Sequence, residues 1–309
     1  MKFDPRTDPD VPKGMSVELL QDLHLLTRDG HLNADARRKL KQIRHLVGLL
    51  RPALDDALVR HADPLVVDCG AGKSYLGAML YELVLGPAGR GSLTAIEARP
   101  ELSEQAAKRA ARFGQDRFRV ATGAIGSFVS PAAGASSVPS SEPLDGGTDA
   151  ADPNARRPNV VTALHACDTA TDDALVLAIT QVADHVAVVP CCQAEVARQL
   201  EAAKPSDPVD AALFEHPLHR REFGSHLTNV IRALVLEAHG YKVTVTELVG
   251  WEHSAKNELI LGKRVQRYNK QARATLRALL ERFHVEPAVI RELAARGLDP
   301  RGEPAKSES

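Results

Sequence analysis

Leu65-Val66-Val67-Asp68-Cys69-Gly70-Ala71-Gly72-Lys73-Ser74-Tyr75-Leu76 is the stretch on which the fold turns. Leu65 to Val67 reads as a buried strand, two glycines interrupt it, and a helical pattern follows from Tyr75 to Val84. Glycines at such a point let the backbone turn sharply and approach a ligand closely, and the helix that follows offers unpaired N–H groups. A strand, a glycine turn and a helix form the opening unit of an open α/β sheet, whose ligands lie beyond the carboxyl ends of the strands.

Downstream, short apolar runs alternate with helical stretches. Strands are expected at 92–96, 117–122, 160–164, 185–189, 242–249 and 258–265, with helices over 101–113, 170–183, 193–203 and 225–239. This alternation predicts a mostly parallel sheet with helices on both faces. The last two strands are joined only by Gly250 to Asn257, too short for a helical crossover, so they should pair antiparallel. The expected fold is therefore α/β: a Rossmann-like seven-stranded, mostly parallel sheet with a C-terminal antiparallel hairpin, plus N- and C-terminal helices. That hairpin is the mark of the class I methyltransferase sheet, as opposed to the all-parallel dehydrogenase sheet.

Upstream, helices are expected at 16–29 and 33–60. Asn33 can cap the second, which buries Leu40, Ile43, Leu46, Val47, Leu50, Leu54 and Leu58 and is kinked or split at Pro52. Residues 130–158, rich in Ala, Ser, Pro, Gly and Asp, read as an insertion without regular structure; 267–298 reads as two helices and the tail from Gly302 as disordered. The expected boundaries are an N-terminal helical extension over 1–60, the main domain over 61–265, and helices with a tail over 266–309.

The second strand ends at Glu97, a carboxylate placed to accept both ribose hydroxyls of a nucleoside cofactor. Tyr75 stands where the G-x-G-x-x-G fingerprint needs its third glycine, which weakens a dinucleotide reading and suits a cofactor without a pyrophosphate. A P-loop fails as well, because only Ala71 separates Gly70 from the Gly72-Lys73 pair.

The chain has 309 residues, 44% hydrophobic and 26% charged, with a net charge of −1. That composition is ordinary for a globular protein, and any nucleic-acid surface must come from local segregation of charge. Met1 to Lys13 is polar and proline-rich, unlike a signal peptide, and no stretch approaches the roughly 18 apolar residues needed to cross a bilayer. A cytoplasmic protein with no membrane partner is expected.

Four cysteines, Cys69, Cys167, Cys191 and Cys192, are too few for a disulfide framework in a chain of this length. All are expected just past the carboxyl ends of strands one, four and five. They can pack as small hydrophobes or supply a nucleophilic thiol aided by His165 or His253, and Cys167, Cys191 and Cys192 can hold a metal with His165, although no C-x-x-C pair of zinc spacing exists. No metal site is assigned.

The runs D-C-G-A-G-K-S-Y-L (68–76), L-H-A-C-D-T-A-T-D (164–172) and P-C-C-Q (190–193) resemble a group of little-characterised class I methyltransferase-domain proteins. The group's eukaryotic relatives include tRNA 2′-O-methyltransferases of the CCHH-zinc-finger type. Lys39 to His45 and His253 to Asn257 resemble it too, so the resemblance spans roughly 35–265; the zinc-finger cysteines are missing, so tRNA specificity does not transfer. The resemblance implies methyl transfer from S-adenosyl-L-methionine. Asp68, Gly70, Ala71, Gly72, Tyr75, Glu97, Ala124 and His165 would line the cofactor. Ala124 falls where many class I enzymes carry an acid near the adenine, so adenine recognition there must use backbone groups or another residue. His165, Asp168, Cys191 and Cys192 would border the acceptor, with His165 or Asp168 as a base if the acceptor must lose a proton.

Two basic clusters are candidates for RNA phosphates: Arg37, Arg38, Lys41 and Arg44 on the helix before strand one, and Arg220 with Arg221. Aromatic residues are 4% of the chain, little stacking surface for single strands. RNA is the expected acceptor. A small-molecule or protein methyltransferase of the same fold, or a non-catalytic cofactor- or metal-binding redox module, is the alternative.

Overall fold

The computed structural model of the chain describes residues 7–128, 156–164, 169–190, 194–203, 207–248 and 258–302. The strands are β1 (Leu65–Cys69), β2 (Ser92–Glu97), β3 (Phe118–Thr122), β4 (Val160–Leu164), β5 (His185–Val189), β6 (Tyr241–Glu247) and β7 (Glu258–Arg264). They form a seven-stranded sheet in the order β3-β2-β1-β4-β5-β7-β6. β1 runs parallel to β2 and β4, and β2 to β3, while β7 is antiparallel to both β5 and β6. The expected hairpin is present, and β4 and β5 have the expected bounds to the residue. The chain divides into two compact units, Met1–Leu164 with Leu248–Ala255, and His165–Glu247 with Lys256–Ser309.

In the first unit the helices are α1 (Val17–Asp22), α2 (Ala34–Arg60), α3 (Tyr75–Leu80), α4 (Gly86–Ala88) and α5 (Pro100–Arg112). Asn33 Oδ1 caps α2 by accepting the Ala36 N–H at 2.8 Å, and the apolar stripe from Leu40 to Leu58 is buried as its spacing demands. Pro52 does not split α2. Both Pro52 and Gly48, whose carbonyl loses its helical donor, face solvent, so water can take that donor's place.

Two expectations fail in this unit. The helix expected over 16–29 stops at Asp22: His24 adopts a left-handed backbone (φ 56°), and the Leu25 and Leu26 amides turn back to the Leu20 carbonyl at 2.8 and 3.1 Å. Leu23, Leu25 and Leu26 are all buried by this turn, whereas a continued helix would set Leu25 about 160° from Leu23 and about 100° from Leu26. The helix expected to run from Tyr75 to Val84 gives way after Leu80 to a π-helical turn over Tyr81–Leu85. In that wider turn Glu82 Oε1 accepts the Ser16 N–H at 2.9 Å, tying the chain before α1 to this segment.

In the second unit the helices are α6 (Thr169–Thr180), α7 (Glu195–Ala202), α8 (Pro208–Ala212), α9 (Pro217–Ala238), α10 (Lys270–Phe283) and α11 (Ala288–Ala295). α9 starts at Pro217, not at residue 225, because its first turns are charged and half-exposed and carry no apolar period to read. α7 and α9 meet at Gly224, where an added Cβ would lie 2.7 Å from Ala197 Cα and 2.8 Å from its Cβ. Gly224→Ala is accordingly expected to lower the unfolding free energy by about 1–3 kcal/mol, read as a fall in the urea midpoint at unchanged slope. An unchanged midpoint would show that the two helices have slack.

Candidate cofactor site

The glycine turn is built by backbone geometry that its sequence permits. Gly70 and Gly72 have φ of 64° and 57°, a left-handed region that costs a side-chain-bearing residue roughly 1–2 kcal/mol. Ser74 also sits there, with φ 58° and ψ 36°, and its fully buried Oγ has no hydrogen-bond partner among the described residues. A strained residue with an orphaned hydroxyl persists where the surroundings over-determine it, which is characteristic of ligand sites. The turn is tied on both sides: the Ala71 N–H donates to the Ile96 carbonyl at 2.9 Å, and Arg109 Nη1 donates to the Lys73 carbonyl at 2.9 Å. Arg109 is itself held by Asp22 at the end of α1, at 2.7 Å.

Glu97 closes β2 directly against this turn. Its Oε2 accepts the Gly72 N–H at 2.6 Å and its Oε1 accepts the Arg99 backbone N–H at 3.1 Å. The Arg99 guanidinium adds Nε to Oε1 at 2.7 Å and Nη2 to Oε2 at 3.3 Å. Glu97 is 5% exposed, and burial alone would push its carboxyl up. The hydrogen bonds from Arg99 and Gly72 outweigh that and hold it below the usual glutamate range. An ionised carboxylate only accepts, which is what two hydroxyl donors require.

Asp68 lies beneath the turn with its side chain fully buried. Burial pushes its carboxyl up to about 7, against the pull of the Thr162 hydroxyl, which donates to Oδ1 at 2.9 Å, and of the Gly77 N–H. The folded chain thus keeps this proton to a higher pH than the unfolded chain, whose carboxyl ionises near 3.8. In that window the folded state binds more protons, so this group's contribution to stability falls as pH rises from about 4 to about 7. Asp68→Asn should remove this trend: urea midpoints at about pH 5 and pH 8 should differ less in the variant than in the parent. Identical pH profiles would refute the shift.

Asp68, Gly70, Ala71, Gly72 and Glu97 therefore converge. Tyr75 opens α3 half-buried beside them, and Ala124 lies exposed two residues past Thr122, the register partner of Glu97. One placement needs correction. Cys69 does not follow β1 but is its last residue, opposite Ile96 and fully buried, because the strand runs two residues beyond Val67. His165, Cys167, Asp168, Cys191, Cys192 and His253 lie outside the described residues. Ser74 and Arg99 were missed by the reading of the sequence. Ser74 gives no signal there, whereas Arg99, two residues past the acid and next to Pro100, could have been noticed.

The basic side chains expected to meet RNA have partners within the chain. Arg37 pairs with Asp8 at 2.9 Å and with Asp10, Lys41 reaches Asp10 at 3.8 Å, and Arg44 donates to the Pro9 carbonyl at 2.6 Å. Arg38 pairs with Asp35 at 3.9 Å, Arg220 with Glu201 and Arg221 with Glu222, both at 2.8 Å. Among the described residues no helix is long and apolar enough to cross a membrane.

A parallel Rossmann-like sheet with an antiparallel last strand, and an ionised acid closing β2 onto a glycine turn after β1, define an enzyme that binds a nucleoside-containing cofactor. The chain belongs to a methyltransferase-domain family, whose sequence profile matches residues 38–199. It is a methyltransferase, and its cofactor is S-adenosyl-L-methionine. None of the curated proteins matches it in sequence.

Among solved structures the chain is similar to an rRNA methylase from Streptococcus thermophilus, at 10% identity over 71% of this chain and 95% of that one, TM-score 0.38. It is also similar to a methyltransferase from Geobacter sulfurreducens, at 14% identity over 83% and 91%, TM-score 0.39. A third is a SAM-dependent methyltransferase from Aquifex aeolicus, at 15% identity over 72% and 97%, TM-score 0.35.

Proposed function

We propose that the chain is a cytoplasmic RNA methyltransferase whose catalytic domain is residues 61–265. The observation that carries the cofactor half of this reading is the buried Glu97 carboxylate, held 2.6 Å from the Gly72 N–H. Gly70, Ala71 and Gly72 present backbone to the cofactor, Glu97 accepts its ribose hydroxyls, and Asp68 and Tyr75 border the turn. The residues fit the cofactor by space as well: among the described residues only Arg99 Nη2, at 3.8 Å, lies within 4 Å of where a Gly72 Cβ would be. Adenine recognition falls to backbone groups around Ala124.

S-adenosyl-L-methionine supplies an activated methyl group on sulfonium sulfur, so the chain's main task is positioning of the acceptor in line with it. His165 and Asp168 are the proposed base for an acceptor that must lose a proton, and Cys191 and Cys192 its proposed neighbours. RNA as acceptor rests on the resemblance of the 164–172 and 190–193 motifs to an RNA-modifying group.

One observation favours the second reading, a small-molecule or protein acceptor. Every basic side chain proposed to meet phosphate already has a carboxylate or carbonyl partner, so part of its donor capacity is used within the chain. Transfer of labelled methyl into cell extract fractionated into RNA, protein and metabolites separates the two. Label in RNA, with binding that weakens steeply with salt, supports the first; label confined to the other fractions overturns it.

A further inference from the structure

Glu97 is not merely acidic; its acceptor positions are all taken. A carboxylate offers about four lone-pair positions. Here Oε1 receives the Arg99 backbone N–H and Arg99 Nε, and Oε2 receives the Gly72 N–H and Arg99 Nη2. The four donors divide into two kinds. The two backbone N–H groups are fixed, one by the glycine turn and one by the junction of β2 with α5. The two guanidinium donors are on a side chain 60% exposed, against 6% for the Glu97 side chain. The guanidinium also spreads over the turn, since Nη2 lies 3.8 Å from where a Gly72 Cβ would be.

A vicinal ribose diol brings two O–H donors to one carboxylate, the same number and the same bidentate pattern as Nε and Nη2. We propose that Arg99 and the cofactor's ribose diol compete for the same two acceptor positions on Glu97, which makes Arg99 an affinity- and specificity-determining residue of the cofactor site. The proposal rests on Glu97 being the ribose acceptor. Exchange of one pair of donors for another leaves the buried carboxylate satisfied throughout, whereas a nucleoside without the diol leaves the guanidinium in place and gains no bond to Glu97. Arg99 thereby lowers affinity for the true cofactor and narrows its advantage over nucleosides that lack vicinal hydroxyls.

The test is calorimetric titration of wild type, Arg99→Ala, Arg99→Lys and Glu97→Gln with S-adenosylhomocysteine and with its 2′,3′-dideoxy analogue. Arg99→Ala should bind S-adenosylhomocysteine roughly twofold to fivefold more tightly than wild type, the range expected from release of a partly exposed ion pair. Its affinity for the dideoxy ligand should stay at the wild-type value, so its preference for the diol should rise by the same factor. Arg99→Lys, a point charge without the bidentate fork, should fall between the two and serves if the alanine variant does not fold.

If Glu97→Gln weakens S-adenosylhomocysteine while the Arg99 variants bind it no tighter than wild type, the competition is overturned and the ribose reading stands. Unaltered affinity in Glu97→Gln, or no binding to wild type, overturns the ribose reading and the competition with it. An Arg99 side chain that only braced the fold would shift both ligands equally, and that result also overturns the proposal.

Discussion

Arg232→Met is expected to lower the unfolding free energy by about 3–5 kcal/mol, the cost of leaving a buried charge without its counter-ion. Arg232 is 1% exposed and donates through Nε to Asp172 Oδ1 at 2.7 Å; Asp172 is 3% exposed in the first turn of α6. Next to it Asp173 is pushed up to about 6, by burial first and then by the Asp172 charge. Removal of the guanidinium therefore takes a 2.7 Å counter-ion from one carboxylate beside another that already resists ionisation.

Arg232 also donates to Asn229 Oδ1 at 3.4 Å, and Asn229 Nδ2 to Glu258 Oε2 at 2.9 Å, so the relay reaches from α6 through α9 to the first residue of β7. The check is urea unfolding of Arg232→Met and of Arg232→Met/Asp172→Leu. The double substitution should recover most of the loss, because an apolar pair replaces the ion pair without stranding either charge. A single-variant loss under about 1 kcal/mol would mean that the pair is better solvated than its burial indicates.

Glu97→Ala should weaken S-adenosyl-L-methionine on the order of 100-fold or more, as expected for two hydroxyl hydrogen bonds to an ionised carboxylate at about 1.5–3 kcal/mol each. The fold should survive, since the acid stands at the end of β2 and its cationic partner is exposed. Calorimetric titration gives the affinity, and a thermal melt of the same sample shows that the site and not the fold was lost. A folded variant that bound with parental affinity would remove Glu97 from the site.

What the sequence disclosed follows from the kind of physics each element obeys. β4 and β5 were legible to the residue because a strand buried on both faces is a continuous apolar run with polar punctuation, as in Val160–Leu164 and His185–Val189. α2 was legible because Asn33 caps it and a single apolar stripe runs its length. The early end of α1 was not, since burying Leu23, Leu25 and Leu26 together is a tertiary demand that overrides helical period. The π turn at Tyr81–Leu85 and the left-handed Ser74 are backbone conformations without a residue signature.

The cofactor side of the site was readable from Gly70, Gly72 and Glu97, whose spacing follows the strands they terminate. The saturation of Glu97 by Arg99 was not, because it depends on a side-chain rotamer and on the closeness of two turns that are distant in sequence.

The clasp at Asp22 bears on how the chain is made. Asp22 meets Arg109 and Arg112, 87 and 90 residues further along, and Arg109 in turn steadies the Lys73 carbonyl. On a ribosome, which extends the chain from its N-terminus at roughly 5–20 residues per second, Asp22 is made roughly 4–17 s, and the glycine turn roughly 2–7 s, before the arginine that ties them. For that interval Asp22 is an open end awaiting its closure. Nascent chains halted before Arg109 would hold the glycine turn by its Ile96 and Glu97 hydrogen bonds alone, without the tie on the Lys73 carbonyl.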